Sequence, residues 1–66
     1  MTNYILYAKF PSQDGKGHFE PLDWKNGWPV VNLIHATLFN ESEAKQALSE
    51  AQAMNQHVKF ELRKAE

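Results

Sequence analysis

Apolar and polar residues alternate near both ends of this 66-residue chain. The stretch YILYAKF, within residues 3–10, places Tyr4, Leu6, Ala8 and Phe10 on one side of an extended chain. The stretch HVKFELRK, residues 57–64, does the same with Val58, Phe60 and Leu62. A period of two is typical of half-buried β-strands. We therefore predict a first strand over residues 3–10, lying beside a last strand over residues 58–64.

A second strand is predicted after a polar turn. Pro11 removes a backbone donor, and the following SQDGKG, residues 12–17, has the composition of a turn. The stretch HFEPLDW, residues 18–24, then restarts a strand pattern. Because Pro21 cannot donate to a neighbouring strand, its position predicts an edge strand or a β-bulge.

The stretch DWKNGWPV predicts a tight hairpin. An Asn-Gly pair between extended segments favours a type I′ turn, whose two central residues need positive φ. With Asn26 and Gly27 at the tip, Lys25 faces Trp28 and Trp24 faces Pro29. The stretch VVNLIHATLF, residues 30–39, predicts a third extended segment. Polar residues interrupt it, so it forms either one strand or a short strand followed by residues 36–39.

The helix pattern follows directly. Asn40 and Glu43 have the spacing of a capping box, in which each side chain bonds the other residue's backbone N–H. Apolar residues then recur at helical spacing up to a predicted end near Asn55, namely Ala44, Ala47, Leu48, Ala51 and Met54. Since alanine buries little area, we expect Leu48, Met54 and Phe39 to anchor the helix.

This order of elements, β-β-β-α-β, predicts an α+β fold. A single amphipathic helix covers one face of a sheet, so we expect a two-layer domain with a three- to four-stranded, mainly antiparallel sheet. The chain has no linker or repeat, and residues 1–66 are predicted to form one domain.

The second face of this sheet is the candidate interaction surface. If Tyr4 and Leu6 face the helix, then Ile5 and Tyr7 face the other way, together with Lys59 and Arg63. Trp24 or Trp28 would join them and extend an apolar patch, which on a protein surface often marks an interaction site. The alternative is that both tryptophans close a second small core. The predicted surface consists of Ile5, Tyr7, Trp24, Trp28, Lys59 and Arg63.

Composition narrows the function classes. Seven Lys and Arg residues against eight Asp and Glu residues give a formal charge of −1, which provides no general attraction to nucleic acid or to an anionic membrane. No apolar run approaches the roughly 18 to 20 residues of a membrane span, and no signal peptide is apparent. We therefore expect a cytoplasmic protein without a membrane partner.

Catalytic and metal-binding patterns are missing from the sequence. The three histidines, His18, His35 and His57, are far apart and lack the spacing of metal-binding motifs. The DGKG stretch, residues 14–17, lacks the following Ser or Thr of a phosphate-binding loop. We predict a non-enzyme with no catalytic residue, metal ligand or cofactor.

Single-stranded nucleic acid is the alternative ligand. Tyr7 beside Lys9, Lys59 and Arg63 would provide a ring for base stacking and cations for phosphates. Glu61 lies among these cations, and the net charge is negative. We therefore expect protein rather than nucleic acid as the partner.

Four stretches together, YILYAKF, FEPLDW, NLIHATLF and KFELRK, resemble short open reading frames carried by bacteriophages and mobile elements. The resemblance implies a free-standing accessory protein that binds a host or phage protein, and it implies no catalytic residue. The sequence thus predicts a small protein-interaction module, whose partner is another protein or a second copy of itself.

Overall fold

A computed structural model describes residues 3–25, 28–32 and 34–65 of the chain. These residues form four strands and one helix in the order β1 (Tyr4–Phe10), β2 (His18–Lys25), β3 (Trp28–Val31), α1 (Glu41–Met54) and β4 (Phe60–Lys64). The strands make one antiparallel sheet with the spatial order β3-β2-β1-β4. The predicted α+β class and element order are confirmed.

The first and last strands are neighbours, as their matched alternation predicts. Leu6 of β1 lies opposite Leu62 of β4, and Leu6 is fully buried. The helix packs across β1 and β4 through three buried alanines, Ala44, Ala47 and Ala51. The buried core is formed by Leu6, Ala8, Leu22 and Ala51, with Phe10, Trp24, Phe39, Leu48, Val58, Phe60 and Leu62 packed around it.

The helix begins and ends where its capping pattern predicts. The Asn40 side chain accepts a 2.8 Å hydrogen bond from the Glu43 N–H, and the Glu43 side chain accepts one from the Asn40 N–H. Asn55 is the C-terminal cap. Leu48 packs on the core as expected, but Met54 is 44% exposed and is not an anchor. The alanine row faces the sheet, which leaves Met54 at one flank of the helix.

Pro21, predicted to mark an edge strand or a β-bulge, lies instead in an inner strand, and its pairing with Tyr7 continues the regular β1–β2 register. The Pro21 carbonyl accepts a 3.1 Å hydrogen bond from the Asn32 N–H. The backbone nitrogen and carbonyl of Pro21 therefore point towards β3 and not towards β1. Because β3 ends at Val31, the missing Pro21 donor removes no bond from either strand pairing. An inner strand therefore accommodates this proline.

Residues 32–40 do not continue the third strand. The Asn32 side chain accepts hydrogen bonds of 3.0 Å from the N–H groups of Ile34 and His35, and this turn ends β3. The chain then passes between β1 and β2, where Tyr4 and Phe39 exchange backbone hydrogen bonds of 2.8 and 2.9 Å. The second predicted alternative, a short strand followed by residues 36–39, agrees with this path.

The β2–β3 pairing has the predicted register. Lys25 lies opposite Trp28, and Trp24 lies opposite Pro29. Asn26 and Gly27, the predicted tip, lie outside the described residues.

Candidate functional site

A concave apolar surface lies between the C-terminal half of α1 and strands β2 and β3. It exists because α1 packs mainly on β1 and β4 and does not extend over the outer strand β3. The hollow has a volume of about 260 Å³. We define the apolar groove by six of its lining residues, namely Leu22, Trp28, Val31, Ala51, Met54 and Phe60.

Three large apolar side chains of the groove are exposed to solvent. Trp28 is 64% exposed, Met54 44% and Val31 42%. Trp28 and Val31 belong to the outer strand β3, and Met54 is the last residue of α1. The buried Leu22 and Ala51 lie beneath them. Exposed apolar residues that line one hollow are typical of a surface that binds another molecule.

The other face of the sheet carries a cluster of aromatic rings and cations. The Arg63 guanidinium lies 4.6 Å from the centre of the Tyr7 ring and 5.0 Å from that of Phe19. The Lys9 ammonium lies 6.0 Å from the centre of the Phe19 ring. Arg63 also donates a hydrogen bond to the Glu61 carboxylate. Arg63 and Lys9 are thus already engaged with rings or a carboxylate of the same chain.

Four of the six predicted surface residues share this face. Ile5 lies opposite Arg63 in the β1–β4 pairing, and Tyr7 is two residues farther along β1. Lys59 immediately precedes β4, and its carbonyl accepts a 2.8 Å hydrogen bond from the Lys9 N–H. Lys59 lines an open hollow with Lys9, Phe19 and Glu61 of this face.

Trp24 does not join Ile5 and Tyr7. Trp24 is on the helix side, where its ring meets that of Phe39 edge to face with centres 6.3 Å apart. Trp28 lies in β3, two strands away from Ile5, and lines the apolar groove. The idea that both tryptophans close a second core is also not what the structure has, because Trp28 is mostly exposed.

Sequence reasoning missed three residues of these surfaces: Phe19, Val31 and Met54. Phe19 lies opposite Lys9, and this pairing was foreseeable only with the β1–β2 register known. The sequence does contain a signal that Trp24 lies on the helix side. Leu22 and Trp24 are two residues apart with Asp23 between them, a pattern that places both apolar side chains on one face.

Asp23 is the one charged side chain that the structure buries among its described residues, at 7% exposure. Its carboxylate accepts a 2.7 Å hydrogen bond from the Thr37 hydroxyl, and the Lys25 ammonium lies 3.7 Å away. The Thr37 hydrogen bond and the charges of Lys25 and His35 hold the pKa of Asp23 below its ordinary value, against the opposing effect of burial. This group fixes the chain path between β1 and β2.

Among the described ranges, no three His, Asp or Glu side chains are grouped so that they could hold a metal ion. Within the same ranges, no helix has the length and apolar character needed to cross a membrane. Comparisons of the chain with protein-family models, with curated proteins and with solved structures found no match.

Proposed function

We propose that this protein is a small interaction module that binds an apolar segment of another protein in the apolar groove. The observation that carries the proposal is that three substantially exposed apolar residues, Trp28, Val31 and Met54, line one hollow. Tryptophan and methionine are enriched in the cores of protein interfaces. A partner that covers these side chains removes their apolar area from water, which favours association.

The size of the groove supports a protein ligand. Its volume of about 260 Å³ is below the roughly 300 to 1,000 Å³ typical of pockets for drug-sized ligands. It suits one or two large apolar side chains projecting from a partner surface. Such an anchor, surrounded by flatter contacts, is the usual arrangement of an interaction hot spot.

The biological setting of this proposal comes from the sequence. The resemblance to short proteins of bacteriophages and mobile elements supports an accessory role without catalysis. In this setting the partner is a host or phage protein, and the two meet in the cytoplasm.

Affinity capture with matched baits tests the proposal. The wild-type chain is compared with Trp28→Ser and Met54→Ser, and Ile34→Ser serves as the control because Ile34 is 96% exposed and lies outside the groove. We expect a partner retained by wild type and by the control to be lost from both groove variants. With that partner purified, titration calorimetry is expected to give about tenfold or weaker binding for Trp28→Ser. Equal binding by all four baits contradicts the proposal.

Single-stranded nucleic acid is the second candidate, on the opposite face. Tyr7 and Phe19 with Lys9 and Arg63 supply the rings and cations that such ligands use. The Arg63 guanidinium lies over both rings, and Glu61 bonds it, so a base would have to displace these contacts. Fluorescence anisotropy with oligonucleotides decides this: tight binding that falls steeply with salt and is lost in Arg63→Ala supports the nucleic-acid function.

A further inference from the structure

Among the described residues, no strand pairs with the outer side of β4, so its backbone groups on that side are available to another strand. Tyr4 directs its N–H and C=O towards Phe39, on the β2 side of β1, and Leu6 and Ala8 follow the same alternation. Their partners on β4 therefore direct their own polar groups away from β1. These outward-facing residues are Phe60, Leu62 and Lys64. In the sheet formed by the described residues, β4 is an outermost strand.

The opposite edge of the sheet is protected in a way that β4 is not. The Trp24 N–H donates to the Thr37 hydroxyl, on the side of β2 that faces β1. Trp24 therefore forms a non-hydrogen-bonded pair with Pro29, and the backbone polar positions of Pro29 point away from β2, towards the open edge of β3. Proline at an outward position provides no donor for another strand, which is a common protection of sheet edges. β4, by contrast, is a regular five-residue strand without proline.

The sequence of β4, FELRK, is complementary to itself when two copies run antiparallel. With Leu62 opposite Leu62 of the second copy, Glu61 of each strand lies opposite Arg63 of the other. We propose that two copies of this chain associate through β4, centred on Leu62, to form one continuous eight-stranded sheet with two symmetric Glu61–Arg63 pairs. Such a two-fold, self-complementary contact is the commonest type in protein dimers.

The geometry of the antiparallel β4–β4 pairing brings the opposite charges of Glu61 and Arg63 close together. The backbone N–H and C=O of Leu62 point away from β1, so Leu62 forms a hydrogen-bonded pair with Leu62 of the second copy. Glu61 and Arg63 then form the closer, non-hydrogen-bonded pair, with Cα atoms about 4.5 Å apart. Opposite charges at such positions stabilise a strand pairing. Each Arg63 thereby gains a second carboxylate beside the Glu61 that it already bonds within its own chain.

The helices also fit this arrangement. α1 packs on both β1 and β4, so with strands about 4.8 Å apart its axis lies on the order of 5 Å from the two-fold axis. The two helices would then be about 10 Å apart, a normal distance for packed helices. Gln52 lines a hollow with Phe60 and Glu61 at this edge, and Leu48 lies one turn before it on the same side of α1.

Charge exchange tests the proposed dimer by sedimentation equilibrium. Glu61→Arg and Arg63→Glu each place like charges at both symmetric contacts, and we expect each to weaken the dimer by about tenfold or more. The double variant E61R/R63E restores opposite charges and is expected to dimerise like wild type. A mixture of the two single variants is expected to form a heterodimer. Circular dichroism and thermal melts confirm that each chain remains folded.

Nuclear magnetic resonance on the wild-type chain provides a test without mutation. In mixed labelled and unlabelled samples, we expect an intermolecular NOE between the Hα atoms of Glu61 and Arg63, and slow amide exchange at Leu62. The proposal is overturned by a wild-type chain that stays monomeric up to about 1 mM. It is equally overturned by a dimer that lacks this NOE, or by one that is lost in Trp28→Ser. The last result would place the contact in the apolar groove instead.

Discussion

The Thr37 hydroxyl donates a 2.7 Å hydrogen bond to the buried Asp23 carboxylate and accepts one of 2.6 Å from the Trp24 N–H. One side chain thus satisfies two neighbouring groups of β2. It does so at the point where β2 leaves β1 and the chain passes between them. This contact links the path of residues 36–39 to the position of Trp24 beside Phe39.

Replacing this hydroxyl is expected to destabilise the fold. Thr37→Val keeps the shape of the side chain but leaves the Trp24 N–H without its acceptor, which costs about 1 kcal/mol of unfolding free energy. Thr37→Ser, which keeps the hydroxyl, is the matched control and is expected to remain closer to wild type. Urea unfolding of the three chains measures the difference. Equal midpoints for the Val and Ser variants would show that the hydrogen bonds contribute nothing net.

The lowered pKa of Asp23 predicts how stability depends on pH. The folded pKa lies below the ordinary carboxyl value of 3.8, so the ionised group stabilises the folded state above that value. This contribution is lost as the pH falls from 3.8 through the folded pKa. Asp14, whose pKa is also lowered by its hydrogen bonds to Ser12 and Lys16, acts in the same direction.

The variant Asp23→Asn separates the two carboxylates. We expect wild type to exceed it in stability at neutral pH and the two stability curves to converge in acid, because the variant retains Asp14 but lacks the Asp23 titration. Urea midpoints at a series of pH values between neutrality and acid give both curves. Curves that run parallel through this range would mean that Asp23 titrates alike in the folded and unfolded chains.

The features predicted correctly from the sequence depend on neighbouring residues. The capping box between Asn40 and Glu43 spans three residues, and the alternation in β1 and β4 needs no knowledge of distant partners. Lys25 and Trp28, which form a pair, are likewise only three positions apart in the chain. Local chemistry determines these elements, and their pairing follows from matching apolar faces.

The features that sequence reasoning missed depend on tertiary arrangement. The pairing of Tyr4 with Phe39 joins residues far apart in the chain, and no periodicity signals it. The apolar groove exists because α1 lies over β1 and β4, and the amphipathic pattern of a helix does not specify which strands it covers. The exposure of Met54 follows from that position. The candidate site was therefore predictable in its residue types but not in its location.

The two tryptophans are expected to differ in fluorescence. In Trp28→Phe the remaining Trp24, packed against Phe39 and the core, is expected to emit at shorter wavelength and to resist acrylamide. In Trp24→Phe the remaining Trp28, 64% exposed, is expected to emit like a solvated indole and to be quenched readily. If a partner bound in the apolar groove covers Trp28, the emission of Trp28 shifts to shorter wavelength on titration with that partner. Identical spectra for the two variants would contradict the assigned positions.

Deleting core volume is expected to be costly at Leu6 and harmless at Leu38. Leu6, in β1, is fully buried beneath the helix. Leu6→Ala is therefore expected to lower the free energy of unfolding by about 3 to 5 kcal/mol. Leu38→Ala, the same substitution at a side chain that is 56% exposed, is expected to change stability by about 0.5 kcal/mol or less. Urea unfolding measures both. A cost for Leu38→Ala near that of Leu6→Ala would indicate that Leu38 is covered in solution.

The two positive-φ glycines of the turn between β1 and β2 predict unequal effects of the same substitution. Gly15 and Gly17 have φ values of +77° and +78°, so a side chain at either position costs about 1 to 2 kcal/mol in backbone conformation. A Cβ atom at Gly15 meets open space, whereas at Gly17 it would lie 2.6 Å from Lys9 Cε and 3.2 Å from the Phe10 carbonyl oxygen. Lys9 can move aside, but the Phe10 oxygen belongs to the backbone of β1.

We therefore expect Gly15→Ala to show the conformational cost alone and Gly17→Ala to lose roughly 1 kcal/mol more. Thermal melts of both variants measure the difference under one buffer condition. In Gly17→Ala the displaced Lys9 ammonium is also expected to leave the Phe19 ring, from which it lies 6.0 Å in the wild-type chain. That movement would appear as a chemical-shift change in the Phe19 ring protons, and this change is not expected in Gly15→Ala. If the two variants have the same melting temperature, the turn relaxes around Gly17, and the close approach to β1 is not a constraint on the fold.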